Sequence, residues 1–121
     1  MKSVDSKNRE FQRISKIFAP LAAGYPGAFN LTDDAAVISP STGNELVVTT
    51  DTMIARVHFM PNDDPKLIGR RLLRVNLSDL AAMGARPLGY MLNVALPNKI
   101  KNEWLEAFAS GLAVDQEKFS I

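Results

Sequence analysis

The stretch PKLIGRRLLRVNLSDLAAMG, residues 65–84, reads as one helix with both of its ends marked. Pro65 suits a first turn, where no backbone donor is needed, and Asp63 or Asp64 can cap it. Gly84 is the natural stop, so the helix is expected to run to about Met83. At about 100° per residue, Ile68, Leu72, Val75 and Met83 lie within roughly 40° of Asp79. Arg70, Arg71, Arg74 and Ser78 take the opposite arc, most simply a solvated face. A carboxylate thus falls on an apolar stripe, where an unpaired charge is costly. Two readings stay open: a structural hydrogen bond to a nearby amide, or a cavity where Asp79 meets a metal or substrate.

Working outward, LVVTTDTMIA at 46–55 is rich in Val, Thr and Ile and predicts a strand. A shorter strand is expected at 35–38, ended by SPSTGN at 39–44. Downstream, 88–96 returns as a strand stopped by Pro97-Asn98, and 102–117 predicts a helix with Trp104, Phe108 and Leu112 on one stripe. Near the start, Phe11, Ile14, Ile17, Phe18 and Leu21 predict a short amphipathic helix that Pro20 should end. Residues 22–32 read as a loop. Phe119-Ser120-Ile121 looks like a fourth strand cut off at its beginning. The expectation is an α+β fold, a mixed β-sheet flanked by helices, forming one domain over residues 1–121.

Composition narrows the chemistry. With 121 residues, 46% hydrophobic and 22% charged, the chain has the makeup of one folded domain rather than a disordered segment. Fourteen basic and 13 acidic side chains leave a charge of +1, which gives no basic footprint for nucleic acid. There is no cysteine, so disulfides, thiolate metal sites and a cysteine nucleophile are excluded. The opening MKSVDSKNREF lacks the apolar run of a signal peptide, and no stretch is long enough to cross a bilayer. A cytoplasmic protein, not bound to membrane, is expected.

Three acidic clusters stand out. Asp51 sits inside the 46–55 strand, where aspartate is uncommon, and Thr49-Thr50-Asp51 offers hydroxyl, carbonyl and carboxylate oxygens of the kind hard cations prefer. Alternatively the strand ends at Thr50 and Asp51 begins a turn. Asp33-Asp34 precedes the 35–38 strand, where adjacent acids commonly face solvent. Carboxylates gathered together repel unless a cation lies between them, and magnesium would also clamp phosphate oxygens. A multi-metal site for a polyphosphate ligand is the combined expectation. His58, the only histidine, could donate to a phosphate or move a proton, or be an ordinary loop residue. Neither Gly-x-x-x-x-Gly-Lys-Ser/Thr nor Gly-x-Gly-x-x-Gly occurs.

LTDDAAV at 31–37, TTDTM at 49–53, VHF at 57–59 and NLSDLAAMGARP at 76–87 occur in an order that resembles the N-terminal domain of thiamine-monophosphate kinases, within the aminoimidazole ribonucleotide synthetase superfamily. The resemblance spans about residue 9 to the end. It implies an N-terminal magnesium- and ATP-binding domain of an enzyme that moves the ATP γ-phosphoryl group onto thiamine monophosphate, giving thiamine diphosphate without a protein nucleophile. By motif, Asp34, Thr49, Thr50, Asp51 and Asp79 fall on the family's magnesium ligands, and His58 on its substrate-contacting position. With Thr50 and Asp51 on opposite strand faces, Thr50 would ligate through its carbonyl, or a bulge would intervene. The family usually has glycine where this chain has Thr32. It also implies a homodimer formed through the N-terminal sheets. The sequence stops before the family's Gly-Gly-Asp segment and C-terminal domain, so no kinase turnover is expected from the chain by itself. Rival readings are a selenophosphate synthetase, a hydrogenase maturation factor, or a non-catalytic dimerisation module. The lack of cysteine and the intact Val-His-Phe argue against the first two.

Overall fold

In the computed structural model, which describes residues 4–121, the chain divides between a unit ending at Asn44 and a unit over Glu45–Ile121. The first begins with α1, Val4–Arg13, which runs into a π-helical turn at Ile14–Phe18 and a 3₁₀ turn at Ala19–Ala22. The helical path therefore starts earlier than the apolar spacing alone predicts. Pro20 lies inside the 3₁₀ turn rather than ending the helix, because a first-turn residue needs no amide donor. Ile17 is buried. The expected 22–32 loop contains a bent 3₁₀ segment, Pro26–Leu31, in which Phe29, Asn30 and Leu31 all have left-handed backbones (φ 48°, 54° and 56°). Thr32 itself has φ −102°, so that position does not need glycine. The Val37 amide donates to the Gly27 carbonyl at 2.8 Å.

The second unit is built on α2, Pro65–Ala82, and α3, Asn102–Phe119. α2 follows its sequence signals. The Asp64 carboxylate accepts from the Lys66 amide at 2.9 Å, Pro65 takes the first turn, and Gly84 (φ 67°) follows the end. α3 runs past its expected end to Phe119, after which Ser120 turns left-handed (φ 54°). Phe119 thus closes a helix and does not begin a fourth strand.

The two helices cross where each has lost its side chain. A β-carbon on Gly69 would strike the Phe108 carbonyl, and one on Gly111 would strike the Lys66 carbonyl. Around this contact Ile68, Leu73, Leu105, Phe108 and Leu112 are buried, and Trp104 stacks on Phe108 with centroids 5.5 Å apart. Asp115 is fully buried at the same interface. Arg74 donates to both of its carboxylate oxygens, at 2.6 and 3.0 Å, and Arg70 adds a third bond at 3.2 Å. These bonds, Arg74's foremost, hold the Asp115 carboxyl below its ordinary range against the opposing effect of burial. The Phe119 ring lies 5.7 Å from the Arg74 guanidinium carbon, a cation–π contact on the same side chain.

The expected sheet is absent: among the described residues there is no β-strand, and the α+β assignment is corrected to a helical structure. Segments 35–38, 46–55 and 88–96 pair in no ladder, and only an isolated parallel bridge joins Ala55 to Phe59. Val48 is 75% exposed and Met91 80%. The physical reason is that β-branched composition reports what a pleated surface would accept. A strand exists only when neighbours pair its backbone groups. The 85–96 segment is instead tied to α3 through Tyr90, whose hydroxyl donates to the Gln116 side-chain oxygen at 2.7 Å.

Gly111→Ala is expected to lower the melting temperature by about 5–15 °C, from the usual 1–3 kcal/mol for overpacking. Ser110→Ala beside it, on the exposed face, should shift it little. Burial pushes the Tyr90 phenol from 10.0 up to about 12. A raised folded-state value favours the protonated donor, so its contribution stays intact below about pH 10 and is lost as pH rises through about 12. Urea unfolding across that window should show the loss in the native chain and not in Tyr90→Phe.

Candidate functional site

The 46–55 segment and the last turn of α2 meet through one polar contact. The Thr49 hydroxyl donates to the Asp79 carboxylate at 3.3 Å. Asp79 is exposed rather than enclosed by the apolar stripe, because the burial of α2 is concentrated at Ile68, Gly69 and Leu73, nearer its start. Met83, at the far end of that stripe, is 69% exposed. Asp79 also lies three residues before the helix ends, where the backbone dipole is negative and disfavours an anion. No basic side chain occupies that last turn. The position would be relieved by a cation.

Asp51 is two residues beyond Thr49, and two residues of chain span at most about 7 Å. Thr49 thus meets Asp79 directly, and Thr50 and Asp51 follow it along the chain. The Asp51 carboxylate accepts from the Thr52 amide at 2.7 Å, a local turn contact that leaves the side chain exposed. Thr50 is exposed as well. Asp34 belongs to the first unit, where it is exposed and its amide donates to the Asp33 carboxylate at 3.0 Å. Among the described residues, neither unit gathers three His, Asp or Glu side chains that could hold a metal ion by themselves. Within the second unit, hydroxyl and carbonyl oxygens would have to join Asp51 and Asp79.

His58 sits in a tight turn stabilised from three directions. Its Nδ1 accepts from the Ile54 amide at 3.0 Å, and its own amide donates to the Ile54 carbonyl at 2.9 Å. Its carbonyl accepts from Arg71 of α2 at 2.8 Å. Arg56 is left-handed (φ 68°), and its amide donates to the Phe59 carbonyl at 2.7 Å. Because Nδ1 is an acceptor, the neutral ring carries its proton on Nε2.

Sequence reasoning misses the Asp115 cluster. Arg71, Arg74 and Ser78 are exposed, as a solvated face requires, yet Arg74 and the half-buried Arg70 also bond a buried carboxylate. A signal is available: Asp115 is three residues beyond Leu112, on the continuation of the Phe108–Leu112 stripe. Arg70, Arg71 and Arg74 also line a shallow depression of about 400 Å³ with Leu67, Val75 and Ser78.

Residues 32–121 match the family described as AIR synthase related protein, N-terminal domain. The chain belongs to this family. The AIR synthase related match encloses every candidate residue above, from Asp34 to Asp79. The chain is also 46% identical over 112 residues to a thiamine-monophosphate kinase of Caulobacter vibrioides, covering 93% of this chain and 32% of the relative. It is 42% identical over 104 residues to the thiamine-monophosphate kinase of Escherichia coli K12, covering 85% and 32% respectively. The chain thus spans about a third of the length of the curated relatives it matches. No solved structure gives a significant match. No helix among the described residues is long and apolar enough to cross a membrane.

Nitrogen-15 spectra of the neutral imidazole are expected to show His58 as the Nε2–H tautomer, with an unprotonated Nδ1. A dominant Nδ1–H form would contradict the turn geometry.

Proposed function

We propose that this chain is the magnesium- and ATP-binding portion of an enzyme that phosphorylates thiamine monophosphate to thiamine diphosphate. The observation that carries the proposal is the Thr49–Asp79 contact at the negative end of α2, with Asp51 two residues away. The kinship with thiamine-monophosphate kinases supports the choice of substrate. The donor set fits Mg2+: two carboxylates, a hydroxyl and backbone carbonyls are hard oxygen ligands, and a divalent ion would offset the charge disfavoured at the helix end. In this reading Thr49, Thr50 through its carbonyl, Asp51 and Asp79 hold the metal, while Asp34, in the first unit, is a magnesium ligand on the family likeness alone.

Magnesium, when bound, would neutralise phosphate oxygens and hold them in line, which is most of what phosphoryl transfer requires. The protein's own residues then bind and orient, and no side chain acts as nucleophile. His58, with Nδ1 occupied by the Ile54 amide, has Nε2–H left to donate to a phosphate oxygen of the substrate. A cytoplasmic location belongs to the same proposal, supported by the cysteine-free composition. Self-association into a homodimer belongs to it too. It is supported by the exposed apolar side chains Leu46, Val47, Val48, Ile54, Leu88 and Met91 rather than by paired sheets.

Calorimetric titration with Mg2+ and a non-hydrolysable ATP analogue is expected to show binding that Asp51→Asn and Asp79→Asn each weaken by about tenfold or more. Equal binding by all three proteins would remove the metal assignment. A chimera in which this chain replaces the matching third of the Caulobacter vibrioides relative should form thiamine diphosphate from ATP and thiamine monophosphate, whereas the chain alone should not turn over.

A further inference from the structure

The ligand reading of Asp79 poses a geometric demand. A carboxylate on a helix lies about 6 Å from the axis, so turning the helix by 10° displaces it by about 1 Å. Metal–ligand distances tolerate only about 0.2 Å. Something must therefore hold the rotation of α2 to within a few degrees. The apolar contacts of Ile68, Leu73, Leu105 and Leu112 hold the helices together, but burial of hydrocarbon is non-directional and specifies rotation less sharply than a hydrogen-bonded fork. The Gly69 and Gly111 contacts set how closely the helices approach.

The directional contact is the buried carboxylate. Asp115 has no exposure, and its three charge-assisted hydrogen bonds go to Arg70 and Arg74, one turn apart on α2. Arg74 engages both oxygens, a fork geometry that fixes orientation as well as distance. Phe119 packs against the same guanidinium. Arg74 and Asp79 are five residues apart and point about 140° away from each other around the helix. Gripping one side of α2 thereby aims the other.

We infer that Asp115 is a positioning residue for Asp79: by clasping Arg70 and Arg74 it sets the rotation of α2 that brings the Asp79 carboxylate against Thr49. The inference rests on Asp79 being a magnesium ligand. It differs from a stabilising role, because replacing a buried carboxylate together with its cationic partners by apolar residues of similar size is often neutral or stabilising.

The native chain has no cysteine, so Thr49→Cys with Asp79→Cys creates a single thiol pair that a short dithiol-bridging reagent can report without any metal. Combining the pair with Arg70→Met, Arg74→Met and Asp115→Leu is expected to slow bridging at least about fivefold while the melting temperature is held or raised. Unchanged bridging in that folded variant would overturn the inference. Should the triple variant fail to fold, Arg74→Lys keeps the charge but loses the fork, and it is read the same way. Mg2+ titration separates the two layers. Undiminished affinity in Asp79→Asn would overturn the ligand reading, and the inference with it. A loss in Asp79→Asn beside undiminished affinity in the folded apolar variant would overturn the positioning role alone.

Discussion

Asp115 has no access to water, and an ionised carboxylate survives there because Arg74 and Arg70 reach it from the facing helix. The three residues join α3 to α2 with directional bonds, while the surrounding leucines and Phe108 supply the non-directional part of the interface. α2 is in turn the element to which the chain over residues 49–59 is fastened. Arg71 holds the turn at His58, and Asp79 receives the Thr49 hydroxyl. Each candidate group of this unit is therefore placed either by α2 itself or by a loop tied to it.

The helix over 65–82 is legible in the sequence because its ends are written in local chemistry. Asp64 caps, Pro65 fits the first turn and Gly84 takes a left-handed backbone. Such signals act within a turn of chain and need no distant partner. The three expected strands have no comparable local warrant. Val47, Val48 and Ile54 describe a surface that a sheet would accept, but pairing is a non-local event that their identities cannot guarantee. Phe119 illustrates the same limit, since an apolar residue after a helical stripe can prolong the helix as readily as begin a strand.

The candidate site is legible to a different degree. Thr49 and Asp79, thirty residues apart, stand out in separate stretches and meet in the folded chain. Their meeting concerns the motif, whereas the apolar stripe around Asp79 does not enclose it, as that end of α2 is open. The arginines escape a reading by helical phase, which cannot say which side chains a neighbouring helix will recruit. Long guanidinium stems reach around the flank of α2 to a carboxylate that belongs to α3.

The glycine crossing carries a consequence for how this chain can diverge. Any missense change in the codons for Gly69 or Gly111 adds at least one carbon atom where a carbonyl already stands. Neither glycine has a neutral replacement among the other residues, and a compensating change elsewhere would have to move a whole helix. Drift at this junction is confined to the residues around the two glycines, so homologous chains should vary in the leucines and keep the gap.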